Sequence, residues 1–360
     1  MKKLLIAFVL CLSLFSCANR GDDVIVVEYP VSSGLELLSS SVFEDIEMVK
    51  LYEVLLPTWT RMVVKNNMYY IAAEDKVYLF DATGKYLNSV GEKGRGPAEY
   101  VSNDGIIVED NGDISVYSNE GLLHTYAPEG RFLGNTEYCF SSKEFAKGNG
   151  FNYHYCGNGS GKPYQLYITD IHNRVVDSCI AASTAPSMFV GSVFSAYKDV
   201  INLCPPEGGD IYRLINGKAR LSYKFNFGMY SLPAEYYQCN NMNEVLHNVL
   251  LSNTVAFKCM FLENQKYAVL EAIVYDAKYN SERTLYGILE KATSIWKWYY
   301  MNDGDFMDYC NLKYMDDSYL YFIAYPDLMK EPNIAEHFPA LRTLSEDCTM
   351  VILKCKLAIN

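Results

Sequence analysis

The stretch KVYLFDATGKYLNSVGEKGRGPAEY, residues 76–100, contains the unit from which the fold of the whole chain is predicted. Two runs rich in aliphatic and aromatic residues, VYLF and YLNSV, flank the tetrapeptide Asp-Ala-Thr-Gly and a lysine. Because Asp and Gly favour tight turns, this pattern predicts a β-hairpin. The glycine-rich segment 91–100 follows at once and predicts an irregular connection that leaves the hairpin.

The same phrase, a β-rich run, a turn and a second β-rich run, recurs along the chain. The later units begin at Ile114, Gln165, Asp210, Thr284 and Met350. Counted from Lys76, the first three intervals are 38, 51 and 45 residues, close to the length of a four-stranded propeller blade. The sequence therefore predicts an all-β fold, in which residues 24–360 form a single six-bladed β-propeller with four-stranded antiparallel blades.

The last two intervals, 74 and 66 residues, are long enough to contain extra elements. Residues 231–253 predict a small helical insertion, with Ser231 as N-cap and Pro233 in the first turn. Residues 333–344 form a second, shorter helical candidate. Ring closure predicts a strand beside residues 350–357, supplied by 45–54 or by 24–29, because closure leaves only short sheet edges in solvent.

The N-terminus has the pattern of an export signal. Lys2 and Lys3 precede an apolar run, residues 4–15, that is shorter than a membrane-spanning helix. The run ends in Leu-Phe-Ser-Cys, as in a bacterial lipobox; the alternative is an ordinary secretory peptide that happens to contain Cys17. We expect residues 1–16 to be a signal peptide, Cys17 to carry lipid and 17–23 to be a tether. Several acyl chains would hold the protein on the outer membrane, at its periplasmic face or on the cell surface.

Composition narrows the classes of partner and site. The formal net charge of −12 argues against nucleic acid as a partner. Thirty-one Tyr favour a sheet-rich protein, although an aromatic surface for sugars or peptides fits the same count. Apart from Cys11 and Cys17, nine cysteines remain, none in C-x-x-C spacing, and one or two disulfides stay open. Cys139, Cys156 and Cys179 lie in apolar runs and are expected to behave as small buried hydrophobes.

Nucleotide and metal motifs match poorly. Segment 91–97 reads G-x-x-G-x-G-P and lacks the βαβ context of a dinucleotide fingerprint. Pro163 stands where a phosphate-binding loop needs Ser or Thr. The five histidines form neither H-x-H nor H-E-x-x-H. We therefore assign no catalytic residue, metal ligand or cofactor from the sequence, and enzyme activity stays an open question.

The segment 80–100 resembles the signature of a family of six-bladed β-propeller lipoproteins (NHL/TolB-like) from anaerobic gut-type Gram-negative bacteria. The matching positions are Phe80, Asp81, Gly84, Lys85, Gly91, Gly94, Gly96, Pro97, Glu99 and Tyr100. Ala98 stands where Gly is commoner, and Cys348 and Thr349 replace a usual Asn-Pro. The resemblance covers residues 24–357 and implies the fold more firmly than an activity, since propellers have many functions.

The signature loop is expected to be structural or partner-binding. It comprises Gly91, Gly94, Arg95, Gly96, Pro97, Glu99 and Tyr100. The glycines would allow positive φ, and Pro97 would fix φ as the chain crosses to the next blade. Tyr100 would bury its ring, and Glu99 or Arg95 would hold the loop by ion pairing.

We expect a lipid-anchored binding or scaffold protein whose ligand is a peptide, glycan or partner protein, held at one mouth of the ring. The alternative is a hydrolase of the lactonase or esterase kind, with a metal held in the central channel by Glu, Asn and Asp from different blades. A third option is a structural adaptor that docks through the insertion 231–253.

Overall fold

The computed structural model describes residues 24–29, 35–38, 42–56, 61–188, 191–276, 281–300, 310–325 and 348–358. Within these ranges the chain forms six β-sheets and a few short helical turns. The predictions for the signal peptide, Cys17, the tether and the helix at 333–344 lie outside the described residues. The predicted six-bladed β-propeller is confirmed.

Blades 1 to 3 each consist of four sequential antiparallel strands. Blade 1 contains β4 (Arg61–Lys65), β5 (Met68–Ala72), β6 (Val77–Phe80) and β7 (Tyr86–Val90). Blade 2 contains β8 (Gly105–Val108), β9 (Ile114–Ser118), β10 (Leu122–Tyr126) and β11 (Phe132–Glu137). Blade 3 contains β12 (Glu144–Gly148), β13 (Phe151–Tyr155), β14 (Tyr164–Asp170) and β15 (Val175–Ala181).

Blades 4 to 6 also use strands from the N-terminal segment. Blade 4 contains β16 (Phe194–Tyr197), β17 (Val200–Leu203), β18 (Asp210–Ile215) and β19 (Lys218–Asn226), with β1 (Ile25–Glu28) added. Blade 5 contains β20 (Thr254–Glu263), β21 (Tyr267–Asp276), β22 (Ser281–Glu290) and β23 (Ile295–Tyr300), with β2 (Leu35–Leu37) added. Blade 6 contains β24 (Cys310–Met315), β25 (Leu320–Ala324), β26 (Cys348–Leu357) and β3 (Phe43–Tyr52).

The ring is closed at its inner and outer circumference. The innermost strands touch in the cyclic order β4, β8, β12, β16, β20, β24 and back to β4. At the outside, β3 pairs antiparallel with β26, so the predicted closure by residues 45–54 is confirmed. The alternative, residues 24–29, was wrong for this role, because β1 pairs parallel with β19 in blade 4. The strands β1, β2 and β3 thus lie at the rims of blades 4, 5 and 6 and cover three sheet edges.

The core lies between neighbouring blades because side chains alternate along each strand. In β5, Tyr69 and Ile71 pack toward blade 6, whereas Tyr70 and Ala72 pack toward blade 2. Both faces of the blade are therefore buried, which explains why aromatic and branched side chains dominate the repeat. Much of the aromatic content serves this packing.

The two faces of the ring differ. One face carries the turns between first and second strands, and ion pairs join these turns across blades: Lys65–Asp110 at 2.8 Å and Lys147–Glu109 at 2.8 Å. The opposite face carries the connections between blades, among them the signature loop and the insertion before β20. We call this second face the connection face. It offers the larger variety of loop surface for binding.

The helical insertion is present but its start was predicted wrongly. Two 3₁₀ turns, Gly228–Tyr230 and Ala234–Gln238, precede helix α1 (Met242–Val245), which continues as a π-helical turn, Leu246–Leu250. Asn241 is the N-cap in place of Ser231, since its side chain accepts from the Glu244 N–H at 3.0 Å. The Glu244 carboxylate in turn accepts from the Asn240 N–H at 2.8 Å, which completes a capping-box-like arrangement.

Two further expectations need correction. The unit at Ile114 begins at the second strand of its blade, whereas the other repeat units coincide with third strands, so the true blade spacing is more regular than the intervals suggested. Cys139 is exposed, although Cys156 is buried and Cys179 is half-buried. All nine described cysteines are free thiols. Neither error affects the six-bladed fold.

Candidate functional site

A groove of about 330 Å³ lies on the connection face at the outer rim of blade 4. One wall is β1, with Val26 and Glu28, and the other is the helical insertion, with Leu232 and Tyr237. The end of β19 and the turn at 208–209 form its base. We call it the rim groove. Its size falls in the range of ligand pockets in proteins, about 300–1,000 Å³.

Two glycines shape the base. Gly208 has φ +71°, a backbone conformation that residues other than Gly rarely adopt. A Cβ on Gly209 would overlap the carbonyl oxygen of Phe225, and the Gly209 carbonyl accepts from the Phe225 N–H at 2.8 Å. The turn therefore packs backbone to backbone against β19, which a larger residue would prevent.

A buried lysine fixes this turn from below. Lys258 on β20 is 1% exposed, and its ammonium group donates to the carbonyl oxygens of Glu207 and Gly208. Burial lowers the pKa of Lys258 because the charged form loses its hydration. A buried ammonium is tolerated only when its donors are used, so the two carbonyls are held in one orientation. The base of the groove is thus preorganised.

Glu207 joins the turn to the insertion. Its Oε1 accepts from Ser187 Oγ at 2.8 Å, from the Met188 N–H at 2.9 Å and from the Tyr236 hydroxyl at 3.1 Å. Burial, followed by the Glu207 charge, raises the pKa of the Tyr236 hydroxyl, which stays a donor. The contacts bring together the connection from blade 3, the turn of blade 4 and the insertion. The wall formed by the insertion is therefore fixed relative to the base of the rim groove.

The lip of the rim groove is apolar and open to solvent. Of the residues that line the groove, Val26 is 61% exposed and Tyr237 39%. Large exposed apolar side chains that meet at one place are typical of an interaction surface. The Tyr237 ring stands edge-on to Tyr236, with ring centroids 5.2 Å apart, so its exposed face is held in place.

The signature loop lies elsewhere on the same face, between blades 1 and 2. The buried Tyr100 hydroxyl donates to the carbonyl of Asp75 at 2.9 Å, and Tyr126 of blade 2 donates to the carbonyl of Ala98 at 2.8 Å. The expected burial of Tyr100 is confirmed. Arg95 and Pro97 are exposed on the outside of the loop.

The expected roles of the loop glycines were right for one of three. Gly91 has φ +70°, and a Cβ there would lie 2.6 Å from the Tyr100 ring. Gly94 and Gly96 do not have positive φ. A side chain at either position would overlap the Glu99 carboxylate, which folds over both residues. Glu99 accepts from the Gly96 N–H at 2.7 Å. The expectation that Glu99 or Arg95 holds the loop by ion pairing is not met, since neither residue forms a salt bridge within the described part of the chain. A partner-binding role of this loop stays a prediction.

Neither a cluster that could hold a metal ion nor a membrane-spanning helix is found in the described part of the chain. In these ranges no three His, Cys, Asp or Glu side chains converge in a way that could hold a metal ion. The hydrolase alternative stays a prediction. Also within the described ranges, none of the helices is long and apolar enough to cross a membrane.

The sequence reasoning missed the rim groove and its support. The one local signal was the sequence CPPEGGD, residues 204–210, together with a single Lys in the apolar run TVAFKCMFLE. A lone Lys in a buried strand implies a carbonyl or carboxylate partner, but the sequence does not say which.

Comparison with solved structures shows which proteins this chain is similar to, and the first of the two matches below supports the fold. A crystal structure from Bacteroides fragilis NCTC 9343, of a protein inferred to be exported, matches with a TM-score of 0.75 at 16% identity, covering 94% of this chain and 100% of that one. BamB from Moraxella catarrhalis matches with a TM-score of 0.45 at 8% identity, covering 78% of this chain and 87% of that one. No curated protein matches the chain.

The sequence family that matches is described as a domain of unknown function, DUF4934, and the match extends over residues 23–356. That range includes every described strand except the last residue of β26, as well as the signature loop and both walls of the rim groove. The chain belongs to this family, DUF4934.

Proposed function

We propose that this protein is a binding or scaffold protein of the cell envelope that captures a protein or peptide partner in the rim groove. The observation that carries the proposal is a groove with an apolar lip and a base fixed by Lys258 and Glu207. Preorganised apolar pockets with a few placed polar groups are the usual form of a binding site. Glu28 and Lys224 supply such polar groups at the edge of the groove.

The finer assignments are part of the same proposal. Cys17 carries lipid after removal of residues 1–16, and residues 17–23 tether the propeller to the outer membrane. The lipobox sequence supports the lipid, and the resemblance at 80–100 supports an NHL/TolB-like lipoprotein of gut-type bacteria. Replacement of Cys17 by Ala should abolish labelling by radioactive palmitate and release the protein from the membrane fraction. Retention on the membrane would mean that the anchor lies elsewhere.

The binding proposal is tested by pull-down from cross-linked native membranes with two matched variants. Tyr237 and Tyr164 are both 39% exposed, but only Tyr237 lines the rim groove. We expect Tyr237→Ser to lose the co-purifying partner, because the apolar lip is removed, and Tyr164→Ser to retain it. Equal recovery with both variants would contradict binding at this groove.

A further inference from the structure

Among the described strands, β1 presents an unpaired backbone edge beside the rim groove. It is the outermost strand of blade 4, and no described strand pairs with its outer side. The Tyr29 N–H donates to the carbonyl of Asn226 at 3.0 Å, so Tyr29 and Val27 direct their backbone groups toward β19. Because backbone groups alternate along a strand, the N–H and C=O of Val26 and Glu28 point outward.

Within the described residues, this edge lacks the charged side chains that usually protect an exposed strand. Exposed sheet edges commonly carry charged residues that discourage pairing with another chain. β3, the outer strand of blade 6, follows that rule with Glu44, Asp45, Glu47 and Lys50. In β1, by contrast, Ile25 is 42% and Val26 61% exposed, and the only charge is Glu28 at the end of the strand.

β1 is nevertheless held firmly enough to act as a template. Val27 is 3% exposed in the core shared by blades 4 and 5. Asn226 donates from Nδ2 to the Glu28 carboxylate at 2.7 Å. The Tyr29 ring stands edge-on to Trp298, with centroids 5.3 Å apart. A strand fixed on one side offers its other side at little entropic cost.

We propose that the partner binds as an extra β-strand on the outer edge of β1, with one of its side chains in the rim groove. The inference rests on the proposed function, since it specifies how a partner reaches that groove. Backbone bonds to Val26 and Glu28 supply affinity, and the pocket supplies selectivity, as in other cases of strand addition.

The geometry also selects the chemistry of the added segment. Val26 and Glu28 lie on the same face of β1 and both line the groove. An added strand therefore places an apolar residue beside Val26 and, two positions along, a Lys or Arg beside Glu28. The net charge of −12 favours a basic segment as well.

The test uses the full mature chain and a phage-displayed library of linear peptides of about eight residues. Peptides selected on the wild type are measured by fluorescence anisotropy against Val26→Pro, Val26→Thr and Tyr237→Ser. Pro removes the outward N–H of residue 26 and leaves the ladder to β19 intact, whereas Thr keeps the N–H. We expect Val26→Pro to weaken binding about tenfold or more and Val26→Thr to change it about twofold or less.

The outcomes separate this inference from the proposed function. Loss with Tyr237→Ser, but equal binding by Val26→Pro and Val26→Thr, would overturn strand addition and leave groove binding intact. A library that gives no binder, or peptides indifferent to all three changes, would overturn both. Backbone N-methylation of a selected peptide provides a check without altering the protein. Methyl groups on the alternate amides that face β1 should abolish binding, whereas methyl groups on the amides between them should not. Equal effects of both sets would exclude binding as a strand.

Discussion

Acid sensitivity at His154 provides the sharpest test of the packing between blades 2 and 3. The side chain is fully buried on β13, among Tyr138, Phe140 and Phe145 at centroid distances of 5.2, 5.6 and 5.1 Å. Its Nε2 lies 3.4 Å from Thr169 Oγ1. Burial, with a smaller contribution from the Lys162 charge, lowers the pKa of His154 to about 4.

The direction of the pH effect on stability follows from the protonation of His154 in the unfolded and the folded chain. The unfolded imidazole has a pKa of about 6.5, so it takes up a proton as the pH falls below that value while the folded imidazole stays neutral. The contribution of neutral His154 to the free energy of unfolding is fully present above about pH 6.5 and is lost progressively as the pH falls to about 4. The loss between pH 7 and pH 5 is about 2 kcal/mol, and the full loss is about 3 kcal/mol.

The assay is urea unfolding of His154→Phe, His172→Gln and the wild type at pH 7 and pH 5. Phe fits the aromatic surroundings and does not titrate, so His154→Phe should lose about 2 kcal/mol less than the wild type over this range. His172 is exposed in a turn, so its replacement is the surface control. If His154→Phe and the wild type lost equal stability, the buried neutral imidazole would be refuted.

Three other predictions concern ring closure by β3, the signature loop and the base of the rim groove. Leu51→Ala on β3, where Leu51 is 0% exposed, should cost about 2–5 kcal/mol in urea unfolding, whereas Leu55→Ala, at 86% exposure, should cost almost nothing; similar values would argue against closure by β3. Glu99→Ala removes the bond to the Gly96 N–H and should speed hydrogen exchange across residues 92–100, with Glu99→Gln closer to the wild type; unchanged exchange would contradict this role. Gly209→Ala should destabilise the protein by about 1–3 kcal/mol in thermal unfolding, because its Cβ overlaps the Phe225 carbonyl; an unchanged melting temperature would show that the turn can shift.

The fold was predictable because its information is local and repeated. Each hairpin carries its own turn residues and its own alternation of apolar side chains, as in residues 76–90. Six such units leave few alternatives to a closed ring. The unit at Ile114 was assigned to the wrong strand of its blade because second and third strands are both rich in apolar and aromatic residues, and only their pairing distinguishes them.

The candidate site was not predictable because its contacts are distant in sequence. Glu28 and Asn226 are 198 residues apart, and Lys258 lies 51 residues from the Glu207 carbonyl that it binds. The signature loop did not point to the candidate site for a different reason. Its glycines leave room for the Glu99 carboxylate and the Tyr100 ring. The most distinctive segment of the sequence therefore reflects packing within the loop, whereas the rim groove is built from less distinctive residues.

Site-specific photo-cross-linking in living cells tests the central claim most directly. A benzophenone amino acid replaces Tyr237 in the rim groove or, as the control, Tyr164 on blade 3, and adducts are resolved by mass after irradiation. We predict one discrete protein or peptide adduct at position 237 and none at position 164, since only the first residue lines the groove. Identical adduct patterns at both positions, or no adduct at position 237, would contradict partner capture at this site.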